Sequence, residues 1–182
     1  MNKKFFVTII TSCVVAIGIT SGCATRRVDT TTTTQESPRK IWSFEPIRAI
    51  VETADFVAAI KPVQQFFGYE AFVLSVKNKS KKNIEINWNK TLYVTNNQTS
   101  GGFMFEGIVY NERNNPKQPD VVFAGGNLVK IILPNALVEF ESGRYGGWRN
   151  RFMLEGEHGV YLTLLIDGKE INERLSVNFV FK

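Results

Sequence analysis

The chain has 182 residues, 22 Lys plus Arg against 17 Asp plus Glu, one histidine, and two cysteines at Cys13 and Cys23. That length holds one domain of ordinary size with a remainder at one end, and two full domains would be cramped. At 43% hydrophobic and 12% aromatic residues, the chain can build a core and is not a disordered polymer. The net charge of +5 hints at nucleic acid or anionic lipid, and that hint weakens once the N-terminus is read.

Residues 1–22 begin Met-Asn-Lys-Lys and continue as an uncharged run from Phe5 to Gly22, the basic n-region and apolar h-region of a secretory signal. The run ends Ile19-Thr20-Ser21-Gly22-Cys23. Small residues immediately before a cysteine resemble the lipobox of bacterial lipoproteins, with Thr20 in place of the usual Leu or Val. The resemblance implies that Cys23 receives a diacylglycerol, that the signal is cut before it, and that its new amino group is acylated, typically with palmitate. Ala24, rather than Asp, after the cysteine implies by the same resemblance an outer-membrane destination facing the periplasm or the cell surface. Two or three acyl chains, at about 0.8 kcal/mol per buried methylene, anchor essentially permanently where one binds marginally.

Two other readings of the run stand beside this one. Its 18 uncharged residues are just long enough for an uncleaved transmembrane helix, although Ser and Thr are frequent in it and it ends in Gly-Cys. A cleavage site before Cys13 would leave a very short h-region. Removal of residues 1–22 leaves 160 of the 182 residues, and the loss of Lys3 and Lys4 takes the charge from +5 to +3. A surplus of three is no electrostatic footprint for nucleic acid, so no nucleic-acid partner is expected. One cysteine then remains, itself acylated, and no disulfide is expected.

Residues 23–40 read as the acylated cysteine and a flexible tether. Thr30 to Thr34 are consecutive threonines, and little in the stretch can bury itself. Arg26 and Arg27 either touch anionic headgroups or are simply solvated. Residues 41–182 form the predicted domain. From 47 to 61, Ile47, Ile50, Val51, Ala54, Val57 and Ala58 have helical spacing, whereas Phe56, Val57 and Ile60 also fit a strand from about Asp55 to Lys61; periodicity leaves both open.

Beyond Tyr69 the pattern is β. Phe72, Leu74 and Val76 alternate with Ala71, Val73 and Ser75 as far as the polar stretch Asn78 to Asn83, after which Ile84, Ile86 and Trp88 alternate with polar residues. This predicts a hairpin with Lys79, Lys81 and Lys82 solvated at its tip and Lys77 beside them. Leu92–Thr95 stops at Asn96-Asn97, and Phe103–Phe105 follows Gly101-Gly102. Short strands are expected at Val121–Phe123, Leu128–Leu133 and Ala136–Phe140. Val160–Ile166, Asp167-Gly168 and Ile171–Phe181 predict a hairpin closed by a type I′ turn. Turn signals every 8 to 12 residues and the lack of a long helix predict an all-β chain, an immunoglobulin-like β-sandwich of about 7–9 strands, with Trp88 central. The stretch from Phe72 to Trp88 resembles bacterial cell-surface sandwich domains. That from Gly102 to Asp120 is similar to uncharacterised envelope lipoproteins, a resemblance that brings no activity with it.

Chemistry is sparse. His158 stands in Glu155-Gly156-Glu157-His158-Gly159. Four adjacent residues in a glycine-flanked loop do not readily converge on one ion, so no metal site is expected, and His158 is read as part of a solvated turn. The glycine pairs lack the helix that a phosphate-binding loop requires, and the Asn-x-Ser/Thr triplets at Asn78, Asn89 and Asn97 fit chance. No catalytic residues, no enzyme and no cofactor are expected. The most suggestive segment is the loop 143–151, where Arg144, Tyr145, Trp148, Arg149 and Arg151 offer the mix found at protein interfaces and able to take anions or sugars. Against this, Trp148 would plug the end of the sandwich with the arginines around it. The expected function is a membrane-anchored envelope lipoprotein binding or assembling an envelope protein without catalysis, the alternative being a small-ligand or glycan binder using that loop.

Overall fold

The computed structural model describes residues 42–65 and 68–181. The signal segment 1–22, the lipidation position Cys23 and the tether 23–40 lie outside the described residues. Within them the chain is a β-sandwich. Fourteen strands replace the expected seven to nine, because pairings of two to four residues subdivide the edges.

The first sheet is built around a long hairpin. β13 (Gly156–Ile166) and β14 (Lys169–Phe181) pair without interruption from Gly156↔Phe179 to Ile166↔Lys169. Asp167 and Gly168 between them have φ of 54° and 74°, the positive values a type I′ turn demands. β1 (Trp42–Glu45) covers the far edge of β14. The other edge of β13 is shared: β5 (Ile84–Ile86) takes its C-terminal part and β6 (Leu92–Thr95) its N-terminal part. Residues 87–91 arch out between these two, and the Asn87 N–H donates to the Thr163 carbonyl while the Thr163 N–H donates to the buried Thr91 hydroxyl. β7 (Gln98–Thr99) folds back on β6 through Asn96-Asn97, both at positive φ, and β9 (Asp120–Val122) flanks β5.

The second sheet has the order β2 (Ala49–Glu52), β3 (Phe56–Gln65), β4 (Gly68–Asn78), β10 (Asn127–Pro134), β8 (Phe103–Met104). The ambiguity over 47–61 is thereby resolved as two strands. Thr53 turns the chain between them, its hydroxyl accepting from the N–H groups of Asp55 and Phe56. Pro62 falls inside β3 beyond the last residue paired with β2, an edge position where a missing N–H is tolerated. The two sheets meet in one core, in which Phe56, Ile60, Phe72 and Leu74 pack with Ile84, Ile86, Leu162 and Phe179, all 0% exposed. Trp88 is in that core as expected, 2% exposed.

The predicted hairpin from Phe72 to Trp88 does not form. β4 and β5 alternate as read, but they belong to opposite sheets, and residues 79–83 carry the chain across. Asn78, 1% exposed, holds that crossing. Its amide Nδ2 donates to the carbonyls of Lys82 at 2.7 Å and Val122 at 3.0 Å, and its Oδ1 accepts from the N–H and hydroxyl of Ser80. The nearby lysines are not a joint tip: Lys79 pairs with Glu52 at 3.0 Å and Lys82 with Asp167. Among the described residues no helix is long and apolar enough to cross a membrane.

Candidate functional site

The loop 143–151 is itself paired structure. β11 (Val138–Glu141) and β12 (Gly147–Asn150) form a two-stranded ribbon in the register Phe140↔Trp148. Its turn requires Gly146, where a Cβ would lie 2.2 Å from the Glu141 carbonyl oxygen. Trp148 therefore does not plug the sandwich. It is half-buried on the ribbon, stacked on Tyr110 at 5.7 Å with 9° between the rings, crossed by Phe140 at 5.3 Å, and faced by the Arg113 guanidinium 4.6 Å from its centroid.

Two of the three candidate arginines are already engaged. Arg149 pairs with Glu141 and Arg151 with Glu139, across the strands of the ribbon. The bond from Arg151 holds the Glu139 carboxyl below its ordinary range. Arg144 remains at the tip, 5.6 Å from the ring of Tyr145, which is 81% exposed. Truncating Trp148→Ala is expected to cost about 1–2 kcal/mol, against about 3–5 for Trp88→Ala in the core; urea denaturation of the two variants measures the difference.

Tyr110 and Asn150 also line a cleft of about 770 Å³, whose floor is Val129, Ile131 and Leu133 of β10 and whose wall includes Phe105. Beside it, the Trp88 indole N–H donates to Asp120 at 2.9 Å, Asp120 pairs with Lys130, and the Lys130 ammonium sits 4.0 Å from the Phe105 centroid. Sequence reasoning missed this cleft. The signal was present in Leu-Val-Lys-Ile-Ile-Leu (128–133), apolar on both faces of one strand, a pattern that implies cover on both. In the fold Val129 and Ile131 are 63% and 52% exposed.

His158 lies inside β13, 5% exposed, and not in a solvated turn. Its Nε2 faces the Leu154 carbonyl at 2.8 Å and its Nδ1 the Tyr93 hydroxyl. A carbonyl can only accept, so Nε2 carries the hydrogen and Nδ1 accepts from Tyr93. Burial pushes the imidazole below its ordinary value and the Tyr93 phenol far above its own, so both are neutral at pH 7. Successive strand residues point to opposite faces. Glu157 accordingly turns outward to Arg174 at 2.5 Å while His158 turns inward. Among the described residues no three His, Cys, Asp or Glu side chains are grouped to hold a metal ion. No protein-family model matches the chain, and no curated protein matches it.

Proposed function

We propose that the protein is a lipid-anchored lipoprotein of the bacterial envelope, most simply of the outer membrane, whose β-sandwich is a non-catalytic binding or assembly module for an envelope protein. The anchor rests on the basic start, apolar run and Ser21-Gly22-Cys23 ending of the N-terminus. The binding role rests on surface: Val129, Ile131, Phe140 and Tyr145 are each more than half exposed around the ribbon and β10, the kind of apolar area that partners cover. The one histidine of the chain has both ring nitrogens hydrogen-bonded, to the Leu154 carbonyl and the Tyr93 hydroxyl, which supports a packing role for it rather than proton transfer.

Cys23→Ser tests the anchor. The variant is expected to lose the acyl chains, read by mass, and to retain residues 1–22, whose apolar run can itself hold it on the membrane. A variant that still sediments with membranes, with wild-type processing, rules the lipid anchor out. A second reading is glycan binding at the cleft, favoured by Tyr110, which both stacks on Trp148 and lines the cavity.

A further inference from the structure

β10 is the exception among the outer strands of the two sheets. β1, β2, β7, β8 and β9 are two to four residues long, as edges that avoid unwanted pairing tend to be. β10 has eight residues, yet its outer side is paired only at Leu133 and Pro134, by β8. The chain then turns away at Phe105, whose carbonyl closes a turn with the Ile108 N–H.

The direction of the remaining backbone groups follows from the ladder. The Asn78 N–H donates to the Gly126 carbonyl, which makes 78 and 126 a hydrogen-bonded pair. In an antiparallel ladder such pairs recur at every second residue, so Leu128, Lys130 and Ile132 bond toward β4. Asn127, Val129 and Ile131 direct their N–H and C=O groups to the open edge. Within the described residues these six groups have no partner. The customary protections are lacking as well, since Lys130 points to the core side and is held by Asp120, and the first proline of the strand is Pro134.

Charge differs between the two ends of the edge: Glu106 lines the cleft with Val129 and Ile131, whereas the Asn127 end is positive. On the outer face Asn127 is opposite Lys77, and Val129 is opposite Ser75, whose hydroxyl accepts from Arg48 at 3.2 Å. Arg48 and Lys77 line one cavity with Asn127 and Leu128 and have no carboxylate partner among the described residues. β10 holds no acidic residue, so the edge strand of a second copy has none to set opposite Asn127, and a lipid surface would leave the six backbone groups unmet.

We infer that the open edge of β10 receives an extended segment of a partner protein as an added strand, continuing the row that β8 begins. Side chains of that segment facing Val129 and Ile131 are apolar, and the one facing Asn127 is acidic, within reach of Lys77. This deepens the binding role proposed above and names its partner's chemistry; it is independent of the anchor, so acylation at Cys23 and strand addition can fail separately.

The probe is a peptide of about nine residues that alternates valine with serine and carries glutamate in place of the valine opposite Asn127, titrated against the full chain in neutral detergent, with a peptide bearing lysine at that one position as control. Saturable binding of the acidic peptide is expected to slow amide exchange at Asn127, Val129 and Ile131. Val129→Pro removes an edge-facing N–H without touching the β4 ladder and is expected to weaken binding about tenfold, the effect of 1.4 kcal/mol. Ile131→Lys does the same through an exposed side chain should the proline variant not fold, and Lys77→Glu is expected to reverse the preference between the peptides. The inference is overturned by absent binding or by binding unaffected in both edge variants. It is also overturned by binding to phosphatidylglycerol vesicles that needs Lys77 but not the edge, or by a dimer of the chain that Val129→Pro abolishes.

Discussion

Replacing Asn78 by aspartate is expected to cost about 3–5 kcal/mol at pH 7, the range for an uncompensated buried charge, although the two side chains have nearly the same shape. Nδ2 of Asn78 donates to the carbonyls of Lys82 and Val122 and approaches that of Phe123 at 3.2 Å. A carboxylate oxygen in that place donates nothing and faces three oxygens. Protonation supplies a donor again, so the folded state raises the introduced carboxyl above its unfolded value of about 3.9. The native state then binds more protons between these two values, stability falls as pH rises through the window, and the deficit is smaller at pH 4 than at pH 7. Asn78→Ala, which leaves the same carbonyls and the Ser80 N–H unmet without adding charge, is expected to cost about 2–3 kcal/mol at either pH. Urea denaturation at the two pH values separates the variants.

The second large effect belongs to His158 and Tyr93. His158→Ala removes a ring that stacks on Tyr93 at 5.9 Å and meets Phe179 edge-on at 5.3 Å. It removes the acceptor at Nδ1 from the Tyr93 hydroxyl and the donor at Nε2 from the Leu154 carbonyl, so about 3 kcal/mol or more is expected from cavity and lost hydrogen bonds together. Its pH signature is distinctive. Burial holds the folded imidazole below its model value of 6.5, so on acidification the unfolded chain takes up a proton that the native state refuses. The stability this represents is complete above pH 6.5 and is lost as pH falls from there toward the folded value. Carboxylates such as Glu157, Glu139 and Glu170, all below their ordinary range, give up their contributions only at lower pH, below about 4.5. As the chain has one histidine, the fall in the urea midpoint between pH 6.5 and 5 is expected to vanish in His158→Phe. A slope that persists in that variant would assign the acid sensitivity to other groups.

The pattern of residues announced faces and turns but not neighbours. Asp167-Gly168 and Asn96-Asn97 specify their turns locally, because the positive φ values they adopt are ones few other residues tolerate. Ile84 and Ile86 are buried as their alternation implies, yet period 2 says only which face is covered, and β5 lies against β13, some 80 residues on, rather than against β4. Asn78 reads as a turn residue until Val122 arrives from a distant strand to accept its hydrogen bond. His158 was within reach of sequence reasoning, since it continues the alternation of Val160, Leu162 and Leu164 by one more step; the glycines around it concealed this. Helical spacing over Ile47 to Ala58 is a coincidence of two strands and a Thr53 turn: of its six apolar residues only Ala58 is buried, while Ile47 and Ile50 are 72% and 55% exposed. Of the candidate loop, residue types were legible, whereas the pairing of Arg149 and Arg151 with Glu141 and Glu139 depends on the ribbon register. The open edge of β10 has no local signature at all, being defined by where β8 stops.

The shared edge of β13 also sets an order in time. Every strand of the second sheet is present once synthesis reaches Pro134, whereas β5 and β6 find their main partner only when β13 is complete at Ile166, and β1 only with β14. At about 5–20 residues per second, the 32 residues between Pro134 and Ile166 take roughly 2–6 s. During that interval one sheet has its hydrogen-bond ladders available while the other has only the short pairs β5–β9 and β6–β7 and lacks its central hairpin, so Phe56, Phe72 and Leu74 are incompletely covered. The nascent chain is thus most vulnerable to chaperones and proteases late in its synthesis, and the final hairpin is the step that ends the exposure.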